Sequence, residues 1–161
     1  MNTREYFTQC FKAEVPKFVA VLKAVPPEAA GYRPHPRSMS AAEIVSLLAN
    51  ELGDAVTVLD KGEVAFVQAP PPPNLADSIA LYEKNAAAVK RRIAKVKDSG
   101  WRKPARFLMD GKVVWKAPLG DMLWGFLFDA IHHRGQLSTY LRPMGAKVPS
   151  IYGPSADDPG K

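Results

Sequence analysis

Apolar residues recur every three or four positions in four stretches of the chain, the spacing that places side chains on one face of an α-helix. Proline-rich stretches at 25–36, 70–73 and 104–118 separate them, and proline lacks the backbone N–H that a helix interior needs. The pattern predicts helices over about residues 3–23, 40–59, 74–96 and 119–141. We therefore predict an all-α fold, a four-helix bundle whose long connections exclude the simplest up-and-down order.

Two helix starts carry further signals. Ser40-Ala-Ala-Glu43 has the pattern of a capping box, which predicts that the second helix begins there. Asn2 or Thr3 is a candidate cap for the first helix, and Pro16 lies inside that helix. Because Pro16 has no N–H to donate, we expect it to kink the first helix or to divide it in two.

The region between the third and fourth helices has a different pattern. Asp110-Gly111 lies between the apolar runs 107–109 and 113–115 and is a turn signal. It predicts a short β-hairpin or an extended crossover between helices 3 and 4. The tail, residues 145–161, lacks helical spacing, and we expect it to pack through Val148, Ile151 and Tyr152.

Composition places the chain among folded, soluble proteins. Its 161 residues are 47% hydrophobic and 24% charged, and this length suits one domain over residues 1–161. No apolar run approaches the roughly 18 residues that cross a bilayer, and charges interrupt the N-terminal stretch where a secretory signal would lie. We therefore expect a cytoplasmic protein without a membrane span. Cys10 is the only cysteine, which excludes an internal disulfide and a cysteine-cluster metal site.

The formal net charge of +6 raises the question of nucleic-acid binding. Much of the excess lies at Lys90, Arg91 and Arg92, near the end of the third predicted helix. Basic residues at that end offset the partial negative charge of the helix terminus. This explanation accounts for the cluster without phosphate contacts, so nucleic acid is not an expected partner.

Asp129 and His133 interrupt the apolar stripe of the fourth helix. They are four positions apart and share a helix face, and two interpretations follow. In one, both bind a divalent ion with a third donor from another helix. In the other, Asp129 accepts a hydrogen bond from the His133 ring inside the bundle, with no ion. His132 lies about 100° round the helix, and His35 lies in a proline-rich loop.

Two segments resemble the DinB-like (damage-inducible) proteins. The sequence HHRGQLSTYLR at 132–142, with Gly145 and VPSIYG at 148–153, resembles their last helix and tail. YRPHPRSMSAAE at 32–43 is similar to their loop and second-helix start, so the resemblance covers most of the chain. It implies a four-helix bundle in up-down-down-up order, and a homodimer.

The resemblance also implies a metal site. Many DinB-like proteins hold a divalent ion with one histidine from the second helix and two, spaced by four, from the last. These positions fall on Leu47, Asp129 and His133 in this chain. Leu47 cannot bind an ion, but Glu51 lies one turn further along the same helix. The predicted metal ligands are therefore His133, Asp129 and Glu51, and the ion is zinc, nickel, manganese or iron.

Two functions remain open at this point. The resemblance implies a metal-dependent enzyme, a transferase, isomerase or hydrolase that acts on a small molecule. The alternative is a metal-free small-ligand or stress-response module, in which Leu47 fills the space of the missing histidine and Asp129 pairs with His133.

Overall fold

A computed structural model of the protein describes residues 2–67 and 74–160. All four predicted helices are present, together with a fifth, short helix. The all-α prediction holds only in part, because a three-stranded sheet, larger than the predicted hairpin, accompanies the helices. The helices are α1 (Thr3–Lys23), α2 (Ala41–Lys61), α3 (Leu75–Ile93), α4 (Asp98–Trp101) and α5 (Leu119–Leu141); the strands are β1 (Glu63–Ala65), β2 (Pro104–Met109) and β3 (Lys112–Pro118). The up-down-down-up order of the helices stays a prediction.

Side-chain caps fix the start of the first two helices. The Ser40 hydroxyl accepts from the Glu43 N–H, and the Glu43 carboxylate accepts from the Ser40 N–H, which confirms the predicted capping box. Asn2 and Glu5 form a second reciprocal box at α1. The helix α2 runs two residues beyond its predicted end and stops at Gly62, whose φ of 70° suits a residue without a Cβ.

Helix α1 continues through Pro16, so the expectation that this proline divides the helix is wrong. Phe11 and Phe18 are buried on either side of it, 5% and 1% exposed. Packing of an apolar face provides most of the stability of a helix in a folded protein. The contacts that these phenylalanines make with the core therefore hold the helix together where one backbone hydrogen bond is missing.

The predicted hairpin is confirmed as β2 and β3, which pair antiparallel. Asp110 and Gly111 occupy its turn with φ of 50° and 74°, the left-handed values that a two-residue hairpin turn requires. The parallel strand β1, which pairs Glu63 with Arg106, was not predicted. Its three residues are too few to show the alternation by which a strand is recognised in a sequence.

An ion pair joins α1 to α5 beneath the tail. Arg134 Nη1 donates to Glu14 Oε2 over 2.5 Å, and the Tyr152 hydroxyl donates to the same oxygen over 2.8 Å. Lys17 donates to the other carboxylate oxygen over 2.7 Å. Burial raises the pKa of Glu14, but the hydrogen bonds from these three residues outweigh it, and the net pKa is lowered. Glu14 is therefore a buried, charged anchor between the two helices.

The tail packs partly as predicted. Val148 and Ile151 are half-buried against the core, whereas Tyr152 is 68% exposed. Tyr152 is nevertheless held in place, because its hydroxyl accepts from Arg134 Nη2 over 2.6 Å. None of the described helices has a stretch long and apolar enough to span a membrane.

Candidate functional site

One face of α2 provides the polar side of a cavity. Leu47, Asn50, Glu51 and Asp54 line it, and their spacing of three and four positions puts them on the same side of the helix. Asp129 lines the same cavity from α5. Three carboxyl groups from two helices therefore border one space, and no basic side chain is found among the described lining residues.

The rest of the lining is mostly aromatic and depends on the sheet. Phe107 comes from β2, Trp115 from β3, Phe66 from the chain just after β1, and Phe126 from α5. Phe107 and Trp115 lie edge to face with Phe126, with ring centres 6.0 and 6.1 Å apart. The cavity has a volume of about 330 Å³, within the range of small-molecule sites.

Gly125 allows the hairpin to approach α5 closely. A Cβ at this position would overlap the ring of Trp115, so only glycine permits the observed contact. The glycine therefore sets the distance between the aromatic wall and the helix that carries Asp129.

Glu51 is the most deeply buried of the three acids, at 9% exposure. Within residues 2–67 and 74–160, its Oε2 is the one buried side-chain polar atom that has no hydrogen-bond partner. Burial, and then the charges of Asp129 and Asp54, raise the pKa of Glu51 to about 9. An unpaired buried carboxyl destabilises the fold, and such groups concentrate at functional sites.

The other two acids are less enclosed. Burial raises the pKa of Asp54 to about 6, so this carboxyl is largely ionised at neutral pH. The Asp129 side chain is 58% exposed and lies at the surface end of the group. The acids on this side of the cavity therefore differ in exposure, from the exposed Asp129 to the buried Glu51.

Asp129 and His133 are adjacent, as their spacing predicts. Their Oδ2 and Nε2 atoms are 3.4 Å apart, within ion-pair distance. The exposure of Asp129 makes the prediction of a pair enclosed in the bundle wrong, because the buried stripe of α5 passes through Arg134 and Leu137 instead. Gln136 lies between the two histidine rings, with Oε1 2.9 Å from His133 Nδ1 and Nε2 2.9 Å from His132 Nε2.

The predicted metal ligands can be compared with this arrangement. Glu51 and Asp129 line one cavity, and His133 contacts Asp129, but Leu47 contributes only methyl groups. Across the described ranges, 2–67 and 74–160, no three histidine, cysteine, aspartate or glutamate side chains are grouped to hold an ion. A catalytic ion normally takes three protein ligands. In this arrangement the described side chains do not form a three-ligand metal site, and whether His133, Asp129 and Glu51 bind an ion stays a prediction.

Comparison with known proteins identifies the family. A sequence model of the DinB family matches residues 1–160. This chain belongs to the DinB family. The family assignment from the motifs at 32–43 and 132–142 is thereby confirmed. A search of curated protein sequences found no significant match.

Solved structures show the same fold for this DinB family member. A DinB-like protein from Bacillus cereus is 18% identical with a TM-score of 0.76, over 92% of this chain and 97% of the other. A second, from Bacillus subtilis, is 18% identical with a TM-score of 0.70, over 88% and 93%. A mutant form of a mycothiol-dependent maleylpyruvate isomerase is 12% identical with a TM-score of 0.58, over 92% of this chain and 62% of the isomerase.

Sequence reasoning missed part of the site. Asp54 lies seven positions after Leu47, two turns along the same helix face, so the helical spacing carried a signal for it. The aromatic wall had no such signal. Phe107 and Trp115 reach the cavity only because β2 and β3 pack against α5, a contact that no local pattern in the sequence encodes.

Proposed function

We propose that this DinB family member binds a small organic molecule in the cavity between α2, α5 and the sheet, and that binding needs no resident metal. The buried Oε2 of Glu51, which has no hydrogen-bond partner in the part of the chain that the structure describes, carries this proposal. A protein interior tolerates such an atom poorly, and a bound molecule with a hydrogen-bond donor would supply the missing partner for the carboxyl group.

The cavity lining supports the proposal. Small-molecule sites are mainly apolar and contain a few polar groups that fix orientation. Here Phe107, Trp115 and Phe126 provide the apolar surface, while Glu51 and Asp54 provide the polar groups. Leu47 adds apolar surface where the family resemblance implies a histidine, which favours an organic molecule over an ion.

Binding can be tested with two aromatic probes. In buffer with EDTA, we expect saturation-transfer NMR to detect benzylamine, benzyl alcohol or both on the protein. Leu47→Trp should abolish the signal because the larger side chain fills the cavity. Val114→Trp is the control, since Val114 is 57% exposed and does not line the cavity.

Three outcomes would contradict the proposal: no binding of either probe, binding that Leu47→Trp leaves intact, or binding that appears only after a divalent ion is added. The last of these would favour the metal-dependent enzyme.

That enzyme is the second candidate. It would use Glu51 and Asp129, which both line the cavity, and His133, whose Nε2 lies 3.4 Å from Asp129 Oδ2. The fold that this chain shares with the isomerase does not by itself assign an activity, because function depends on the site.

Leu47→His separates the two candidates. It restores the histidine that the family resemblance implies, one turn before Glu51. We expect calorimetric titration with Zn²⁺ or Ni²⁺ to show affinity at least about tenfold higher in this variant than in the unaltered protein. Equal, tight binding by both proteins, abolished by His133→Ala, would establish the metal-dependent enzyme instead.

A further inference from the structure

We propose that the ligand of this cavity is an organic cation, an amine with a flat or apolar body. This inference rests on the proposed function and names the class of molecule that the same cavity takes. It follows from the charge of the lining, from the aromatic wall and from Glu51 Oε2, which has no hydrogen-bond partner among residues 2–67 and 74–160.

The charge of the lining excludes anions. Glu51, Asp54 and Asp129 border the cavity, and no arginine, lysine or histidine is among its described lining residues. Asn50 provides the one side-chain amide, and that amide donates to Ser46 over 3.3 Å. A carboxylate or phosphate ligand would therefore meet the negative charges of Asp54 and Asp129 beside the buried carboxyl of Glu51, and no cationic partner among the described lining residues.

The aromatic wall favours a cation over a neutral molecule of the same shape. Phe107, Trp115, Phe126 and Phe66 surround one side of the cavity, and the face of an aromatic ring attracts a positive charge. A flat or aliphatic body can pack against the same rings. Acidic groups beside several aromatic rings are a combination that suits the recognition of ammonium groups.

The burial of Glu51 distinguishes the three cavity acids, Glu51, Asp54 and Asp129, from a group of acids on a solvated surface. Its side chain is more than nine-tenths buried, it lines the cavity, and its Oε2 has no partner among the residues described. An acid that only kept the surface polar would be exposed to water or paired with a base. An ammonium group would give Glu51 and Asp54 a charged donor at a depth where water gives little screening.

Three probes of nearly equal shape test the inference. Benzylamine is a cation at neutral pH, benzyl alcohol is neutral, and benzoate is an anion. Affinities would be measured by calorimetry at pH 7.5 in EDTA for the unaltered protein, for Asp129→Asn and for Asp121→Asn. Asp121 is an exposed acid on α5 outside the cavity, so its variant controls for net charge.

We expect benzylamine to bind at least about tenfold more tightly than benzyl alcohol, and benzoate to show no binding. Asp129→Asn should weaken benzylamine binding about threefold to tenfold and change benzyl alcohol binding by a clearly smaller factor, while Asp121→Asn should change neither. Asp129 is exposed enough that its replacement should not disturb folding.

The outcomes distinguish this inference from the proposed function. If benzyl alcohol or benzoate binds as tightly as benzylamine, the site takes a small molecule but the cation inference is wrong. If Asp129→Asn and Asp121→Asn weaken benzylamine binding equally, the attraction comes from the net charge of the protein rather than from the cavity, and the cation inference is also wrong. If none of the three probes binds, both proposals fail together.

Discussion

Glu51→Gln will be more stable than the unaltered protein at pH 8, and its advantage will be roughly 2 to 3 kcal/mol larger at pH 8 than at pH 6. The reason is the pKa of Glu51, which is near 4.5 in an unfolded chain and about 9 in the folded protein. Between these values the folded protein keeps a proton that the unfolded chain has released. Raising the pH therefore favours unfolding, by up to about 1.4 kcal/mol per pH unit.

The pKa values of Glu51 fix both the direction of the stability change and the pH range over which it occurs. Below pH 4.5 the Glu51 carboxyl is protonated in both the folded and the unfolded state, so the free energy of unfolding does not change with pH on its account. Above about pH 9 it is ionised in both states, and the free energy of unfolding falls no further. The pKa of Asp54 is raised to about 6, so this residue makes the free energy of unfolding depend on pH mainly below pH 6. The window from pH 6 to 8 thus isolates Glu51, whose glutamine replacement has no proton to lose.

Urea unfolding at pH 6, 7 and 8 measures the effect. Asp121→Asn, which replaces an exposed acid on α5, should follow the unaltered protein at all three values. A difference in stability between Glu51→Gln and the unaltered protein that stays constant with pH would show that this carboxyl is solvated, which would contradict its burial at the cavity.

Arg134→Met will lower the free energy of unfolding by about 3 to 5 kcal/mol at pH 7. Arg134 is 2% exposed and Glu14 7% exposed, so removal of the guanidinium leaves a carboxylate in the core with only Lys17 and Tyr152 as partners. The guanidinium also lies 4.5 Å from the centre of the Phe18 ring, and that contact is lost as well.

A second replacement separates charge from packing. Glu14→Gln combined with Arg134→Met removes the stranded charge, so the double variant should be more stable than Arg134→Met alone. Thermal or urea unfolding of the unaltered protein, of Glu14→Gln, of Arg134→Met and of the double variant gives the coupling energy. Additive effects would show that Glu14 and Arg134 act separately, contrary to the contact seen between α1 and α5.

The sequence predicted what local patterns encode. The capping box at Ser40 and Glu43, the turn at Asp110 and Gly111 and the four helical stripes all depend on residues within a few positions of each other, and the structure confirms them. The division of α1 at Pro16 was wrong because packing around Phe11 and Phe18 overrides the local effect of a proline.

The sequence predicted only part of the candidate site. Spacing placed Asp129 beside His133, and one further turn of α2 placed Glu51 on the face of Leu47. The cavity does not follow from spacing, since its lining includes Phe107 and Trp115 of the hairpin, which packs against α5. The burial of Glu51 does not follow either, because it depends on the packing of α2 against elements distant in the sequence. Which residue of α5 enters the core, Arg134 rather than His133, likewise depends on Glu14, which lies 120 residues earlier.

A crystal structure of the protein with benzylamine, grown in EDTA, would decide whether the cavity between α2, α5 and the sheet is the ligand site. We expect the ammonium nitrogen within hydrogen-bond distance of Glu51 or Asp54, with the ring against Trp115 or Phe107. If benzylamine binds only in another part of the molecule, such as the groove between α1 and α5 lined by Tyr6 and Phe128, the cavity between α2, α5 and the sheet is not the ligand site.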